Sequence, residues 1–349
     1  MEKIETFFLP IKPHWNFLYI ALFLIAVSCT GAREAGVSGG DNGYYKNHLQ
    51  SQVVRDQINE GFRSVVRIQN NVIYRTYQFY VDDLPLRSEL EGEEFEDVAA
   101  QSYLDDQSTA GTAIVLSEYR GKYAMLTASH TVFYPDTIWH YRPAPANEGG
   151  RYVEAVSVRE SVNYILLNER GVIKLELVAY DTSRDLAVMT NSESRENLMT
   201  SLSLPVGESD ELSWGDIVYA LGYPKGAKMV TMGIASRSDH PSRSILIDAS
   251  FNRGFSGGAL FAVRNDGSGL EFIGIVTSAL GQSETYLAPE TIQRDEYDPD
   301  VPYTGEVFVR TAPRINYGIT NAVDTEVIME FFREKEDQLN DFGLIVPRQ

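Results

Sequence analysis

The chain has 349 residues, 43% apolar and 23% charged, the balance of a folded protein and not of a disordered one, and long enough for two domains or one large β structure. Thirty Lys and Arg stand against 49 Asp and Glu, a formal net charge of −19 with no basic cluster, which argues against nucleic acid as a partner. One cysteine cannot close an internal disulfide or build a cysteine-rich zinc site.

Phe17–Val27 (FLYIALFLIAV) is an unbroken apolar run. A membrane-crossing helix needs about 20 such residues, so the run suits the core of a secretory signal over residues 1–28 and not a permanent span. It ends in Ala26-Val27-Ser28-Cys29, small residues before the chain's only cysteine, which resembles a bacterial lipobox with Cys29 as the lipidated residue. The resemblance implies a lipid anchor in the cell envelope, at the outer membrane or periplasmic face, with plain cleavage and secretion as the other outcome. The Gly-rich, polar segment that follows predicts a flexible tether over 29–59.

From about residue 60 the pattern is of short β-strands. Ser64–Ile68, Val72–Val81, Thr112–Leu116, Tyr123–Thr127, Val172–Ala179, Leu186–Thr190, Asp216–Ala220, Val230–Ser236, Ser244–Asp248, Ala259–Val263, Phe272–Ser278 and Val307–Thr311 are rich in β-branched and aromatic residues between turn signals. One helix is predicted, Asp324 to Leu339, with Asp324 as its cap and Ile328, Phe331, Phe332 and Leu339 on one face. This distribution predicts an all-β fold of barrels, not an alternating βαβ sheet. Residues 82–106, with ten acids against one Arg, and residues 281–302, with six more acids, read as solvated loops or as a negative rim around a cleft.

Gly254-Phe255-Ser256-Gly257-Gly258 is the most informative segment, because glycines around a serine let backbone amides face a reacting atom. It also fits the G-x-S-x-G elbow of α/β-hydrolases, but that fold needs a histidine after the serine, and the last histidine here is His240. His130, at the end of the apolar strand Ala124–Thr127, is the best-placed general base. Asp185, opening the strand Leu186–Thr190, is the best orienting carboxylate, with Asp181 as its competitor.

In these residues the chain resembles the trypsin-like (chymotrypsin-fold) serine peptidases of the HtrA/Deg type. The likeness is carried in family order by Gly111-Thr112-Ala113, LTASHTV (126–132), DLAV (185–188), LGYPKG (221–226) with TMGIAS (231–236), DASFNRGFSGGAL (248–260), FIGIVTS (272–278) and INYGIT (315–320). Phe255 departs from the Asn or Asp usual before the nucleophile, and the helix and short tail at the end of the sequence lead to the expectation of a peptidase part without a PDZ module. The resemblance implies two six-stranded antiparallel barrels, at about 60–195 and 200–320, followed by the helix at 324–339, together a peptidase domain over 60–340. It implies His130, Asp185 and Ser256 as catalytic residues and the amides of Gly254 and Ser256 as the oxyanion hole. It also implies an uncharged specificity pocket with Ser250 near its floor and Ile275 and Thr277 on a wall. No metal or organic cofactor is needed, the partners are protein or peptide substrates, and a homo-oligomer is compatible. The competing reading keeps the fold as an inactive or latent peptide-binding module, with bulky Phe255 distorting the oxyanion loop.

Overall fold

A computed structural model describes residues 52–142, 152–168, 171–237, 244–252, 254–266, 269–289 and 307–347, all within the compact unit Gly43–Gln349. The expected signal, Cys29, His14, His48 and His240 lie outside the described residues.

Helix α1 (Gln52–Ser64) opens the described chain. Val54, Ile58 and Phe62 recur every four residues, which gives one apolar stripe. That stripe packs with Leu204, Leu221 and Phe261. The tether expectation is therefore corrected at its end: residues 52–59 are helical, because their apolar spacing gives the backbone something to fold against.

The first barrel is a ring of β1 (Val65–Gln78), β3 (Thr109–Tyr119), β4 (Lys122–Thr127), β8 (Leu186–Asn191), β7 (Gly171–Asp181) and β6 (Val153–Asn168), closed by the antiparallel β1–β6 pairing. Two further strands, β2 (Gln101–Asp106) on β1 and β5 (Thr137–Tyr141) on β6, extend the sheet beyond the ring. The second barrel is closed in the order β10 (Met229–Arg237), β11 (Ser244–Ala249), β14 (Val307–Asp324), β13 (Leu270–Pro289), β12 (Ala259–Val263), β9 (Ile217–Gly222). The two-barrel, all-β expectation holds. Closure removes the open edges that a flat sheet would expose.

Several elements differ from the sequence reading. Ser64–Ile68 and Val72–Val81 merge into the single strand β1. The acidic stretch 82–106 is not all loop: it contains a short helix α2 (Phe95–Val98) and β2. Its interspersed Leu84, Leu90, Phe95 and Val98 cover Phe79, Val153, Val156 and Trp139, so the acids point outward from a small apolar cap. Within 281–302, residues 281–289 continue β13 and pair with 307–315, and residues 290–302 lie outside the described set. The single predicted helix is two, α3 (Thr325–Glu334) and α4 (Glu336–Asp341), with a break at Lys335. Its predicted cap is present: the Asp324 carboxylate accepts from the Val327 amide at 2.8 Å.

The main core crosses from one barrel to the other. Ile114, Leu126, Leu186 and Val188 of the first join Leu221, Phe261 and Ile275 of the second and Phe331 of α3 in one buried cluster. At roughly 1.5–3 kcal/mol for each fully buried large apolar side chain, this cluster fixes the barrels against each other. The seam between them is thus a rigid place to hold side chains from both.

Candidate active site

His130 sits in a single turn, Ser129–Thr131, at the C-terminal end of β4. Ala128, Ser129 and Thr131 around it are buried, while the imidazole itself is 46% exposed. The Thr131 hydroxyl donates to the Ala128 carbonyl at 2.7 Å, and the Asn70 amide donates to the Thr131 carbonyl. The ring is gripped from behind and open in front.

Asp185 lies directly before β8 with φ +57°, a left-handed conformation that few non-glycine residues adopt. That backbone turns its carboxylate back onto the His130 turn. Oδ2 meets His130 Nδ1 at 2.7 Å, and Oδ1 accepts from the His130 amide at 2.9 Å and from the Ser129 hydroxyl at 3.0 Å. The Asp185 carbonyl accepts from the Ser129 amide as well, at 3.2 Å. Burial pushes the Asp185 carboxyl up, but the hydrogen bonds and charge of His130, with the Ser129 hydroxyl, outweigh it and hold the group below its ordinary range. An ionised carboxylate only accepts, so Nδ1 carries the proton and Nε2 presents a lone pair.

Ser256 Oγ lies 2.9 Å from that Nε2. The three side chains picked out by local motif and strand context, 55 and 71 residues apart, thus form one hydrogen-bonded line across the seam. Asp181 is not part of it: its carboxylate is occupied by the Ser183 amide and hydroxyl, the Arg184 amide and the Arg184 guanidinium at 3.4 Å.

The loop around the serine commits three of its amides to backbone carbonyls. Phe255 N donates to Asn252 O at 3.1 Å, Gly257 N to Val276 O at 2.7 Å and Gly258 N to Phe255 O at 2.8 Å. Among the described residues, neither Gly254 N nor Ser256 N donates to an acceptor. Gly254 has φ +94°, and a Cβ on Gly257 would fall 2.0 Å from the Thr112 carbonyl, so neither position admits another residue without rearrangement.

Thr112 is a site residue whose part no sequence signal revealed. Its amide donates to Ser256 O at 2.9 Å, its hydroxyl donates to Gly254 O at 2.7 Å, and the same hydroxyl accepts from Tyr223 N at 2.9 Å. One residue of the first barrel therefore clasps the Gly254–Ser256 loop of the second. Phe255 does not distort that loop. Its ring is fully buried in the second barrel, 4.6 Å from the Phe251 ring and against Gly222, where a Cβ would come within 3.0 Å of it.

The expected pocket residues are placed differently from one another. Ser250 is exposed on the approach to the loop. Thr277 is buried, with its hydroxyl 3.4 Å from Asn321 O. Ile275, expected on a pocket wall, is fully buried in the core at the seam.

Two closed barrels with a Ser–His–Asp line at their junction define a trypsin-like fold. Residues 111–275 match the trypsin-like peptidase domain family. A probable periplasmic serine endoprotease DegP-like of Halomonas elongata is 35% identical over 150 residues, 40% of this chain and 30% of that protein. Serine endoprotease DegS of Haemophilus influenzae is 32% identical over 133 residues, 36% of each chain. The chain thus spans about a third of the length of these relatives. Among solved structures, Rv3671c from M. tuberculosis H37Rv, in an inactive serine-to-alanine form, shares 14% identity at a TM-score of 0.40, over 84% of this chain and 95% of that one.

Proposed function

We propose that the protein is a serine endopeptidase acting through His130, Asp185 and Ser256. The observation that carries this reading is the unbroken line from Asp185 Oδ2 to His130 Nδ1 and from Nε2 to Ser256 Oγ, beside the Gly254 and Ser256 amides, which donate to no backbone acceptor among the described residues. Ser256 Oγ attacks a peptide carbonyl while His130 Nε2 takes its proton, and Asp185 holds the ring and balances the imidazolium charge. The new oxyanion is received by the Gly254 and Ser256 amides, each such donor being worth about 2.7–4 kcal/mol at the transition state. His130 returns the proton to the departing amine, leaving an acyl group on Ser256. Water, activated by the same imidazole, then releases it.

The buried position of Phe255 weakens the inactive-module reading, since the bulk that argued for distortion is absorbed by the barrel interior. The apolar run at 17–27 ahead of Cys29, and relatives one of which is named periplasmic, support a place in the cell envelope with a lipid anchor on Cys29.

A fluorophosphonate probe tests the chemistry. Wild type is expected to label on Ser256, and Ser256→Ala and His130→Ala are expected not to label while melting as cooperatively as wild type. Equal labelling of wild type and Ser256→Ala, or none of wild type, overturns the proposal.

A further inference from the structure

Arg67 of β1 is the exception in a strongly acidic chain. Its Nε is sealed from solvent and has no acceptor among the described residues. The guanidinium lies against the backbone of Gly226, where a Cβ would come within 2.9 Å of Nη1. Burying such a donor unpaired is unfavourable, and the terminal nitrogens of an arginine fork suit a carboxylate.

The same side chain lines a cleft of about 480 Å³ whose other walls include Val65, Leu166, Leu198, Met199 and Tyr223. Arg63 and Phe62 also line it, and Lys228 Nζ stands 4.5 Å over the Phe62 ring. The adjacent carboxylate on α1, Glu60, is engaged by Arg63 at 3.1 Å and by the Ser203 hydroxyl at 2.9 Å. The cleft therefore combines apolar walls with the cationic side chains of Arg63 and Arg67, and Asn168 and Thr200 are the uncharged polar residues beside them.

One wall is shared with the catalytic loop. The turn Tyr223–Gly226 that receives Arg67 also backs Gly254, where a Cβ would fall 2.9 Å from Tyr223 O and 3.3 Å from Lys225 N. The Tyr223 amide and Gly254 carbonyl meet on the single hydroxyl of Thr112.

We infer that the Arg67 cleft is a binding site for a carboxylate carried on an apolar chain, and that filling it shifts the nucleophile loop through the Tyr223–Gly226 turn. Both a fatty acid and the free C-terminus of an apolar peptide present this chemistry. The binding half stands alone, and the coupling half rests on the proposed peptidase reading.

The full chain is titrated by calorimetry with octanoate and with an acetylated tripeptide ending in free leucine, each against its amide. Saturable binding of a carboxylate but not its amide, weakened at least about tenfold in Arg67→Met and less in Arg67→Lys, is the expected result, and the tighter carboxylate identifies the source. No saturable binding by about 10 mM, or equal binding to Arg67→Met of unchanged melting temperature, overturns the site. The rate of fluorophosphonate labelling with and without the bound carboxylate reads the coupling. An unchanged rate in a protein that labels overturns that half, whereas a protein that never labels refutes the peptidase reading and leaves the binding result standing.

Discussion

Asp185 holds His130 at two points, ring and main chain: one carboxylate oxygen accepts from Nδ1 at 2.7 Å and the other accepts from the backbone amide at 2.9 Å. The first contact sets the tautomer and the second sets where the ring can stand. An amide at this position keeps the shape and loses the charge. Asp185→Asn is therefore expected to lower kcat by about 10⁴-fold, as the equivalent change does in the Ser–His–Asp enzymes, with KM little altered. Steady-state kinetics on a fluorogenic peptide checks it, and a fall of less than tenfold would remove Asp185 from the mechanism.

The same contacts predict a pH dependence of stability. Because the carboxyl is held below its ordinary range in the folded protein, its contribution is complete above the unfolded value of about 3.9 and disappears as pH falls through the lower folded value. Wild type should therefore melt above Asp185→Asn near neutrality, and the gap should narrow steadily under acid. Thermal melts between about pH 3 and pH 7 measure it. A gap that widens on acidification contradicts the sign.

Thr112 makes a prediction in which the hydroxyl, not the volume, matters. Thr112→Val keeps the β-branched shape but strands the Gly254 carbonyl and the Tyr223 amide, which the hydroxyl now joins. At about 1 kcal/mol net per hydrogen bond, with more for a partner left unpaired, kcat is expected to fall roughly tenfold or further, and Thr112→Ser is expected to recover most of it. Equal rates for the valine and serine variants would show that the hydroxyl does not hold the loop.

Phe255 offers a test of packing. Its ring is fully buried between Phe251 and Gly222, so Phe255→Ala should cost about 3–5 kcal/mol in urea unfolding. Phe255→Asp should be worse than Phe255→Ala, since it places a carboxylate in an apolar interior. An aspartate variant as stable as wild type would mean that the ring is not seated as described.

What the sequence made legible was local. Leu186–Thr190 and Ala259–Val263 declare themselves as strands by composition, and the glycine-framed Ser256 declares itself by conformational need. β6 escaped notice because Arg159, Glu160, Ser161 and Asn163 interrupt its apolar residues, and its pairing with β1 lies some 90 residues away in the chain. Likewise the room for Phe255 is made by Gly222, in another strand, and nothing near Phe255 in the sequence announces it. The burial of Ile275 was not legible either, because the sequence alone does not say which face of the strand a side chain takes.

Fastening the Ser256 loop by a ring sunk in hydrocarbon has its own corollary. An ion pair in that role can be made or broken by a proton, a shift in ionic strength or a newly cut chain end. A phenyl group at the centre of a barrel answers to none of these until the barrel opens. Adjustment of the loop therefore falls to its polar side, where the Thr112 hydroxyl and the Tyr223–Gly226 turn are the parts left free to respond.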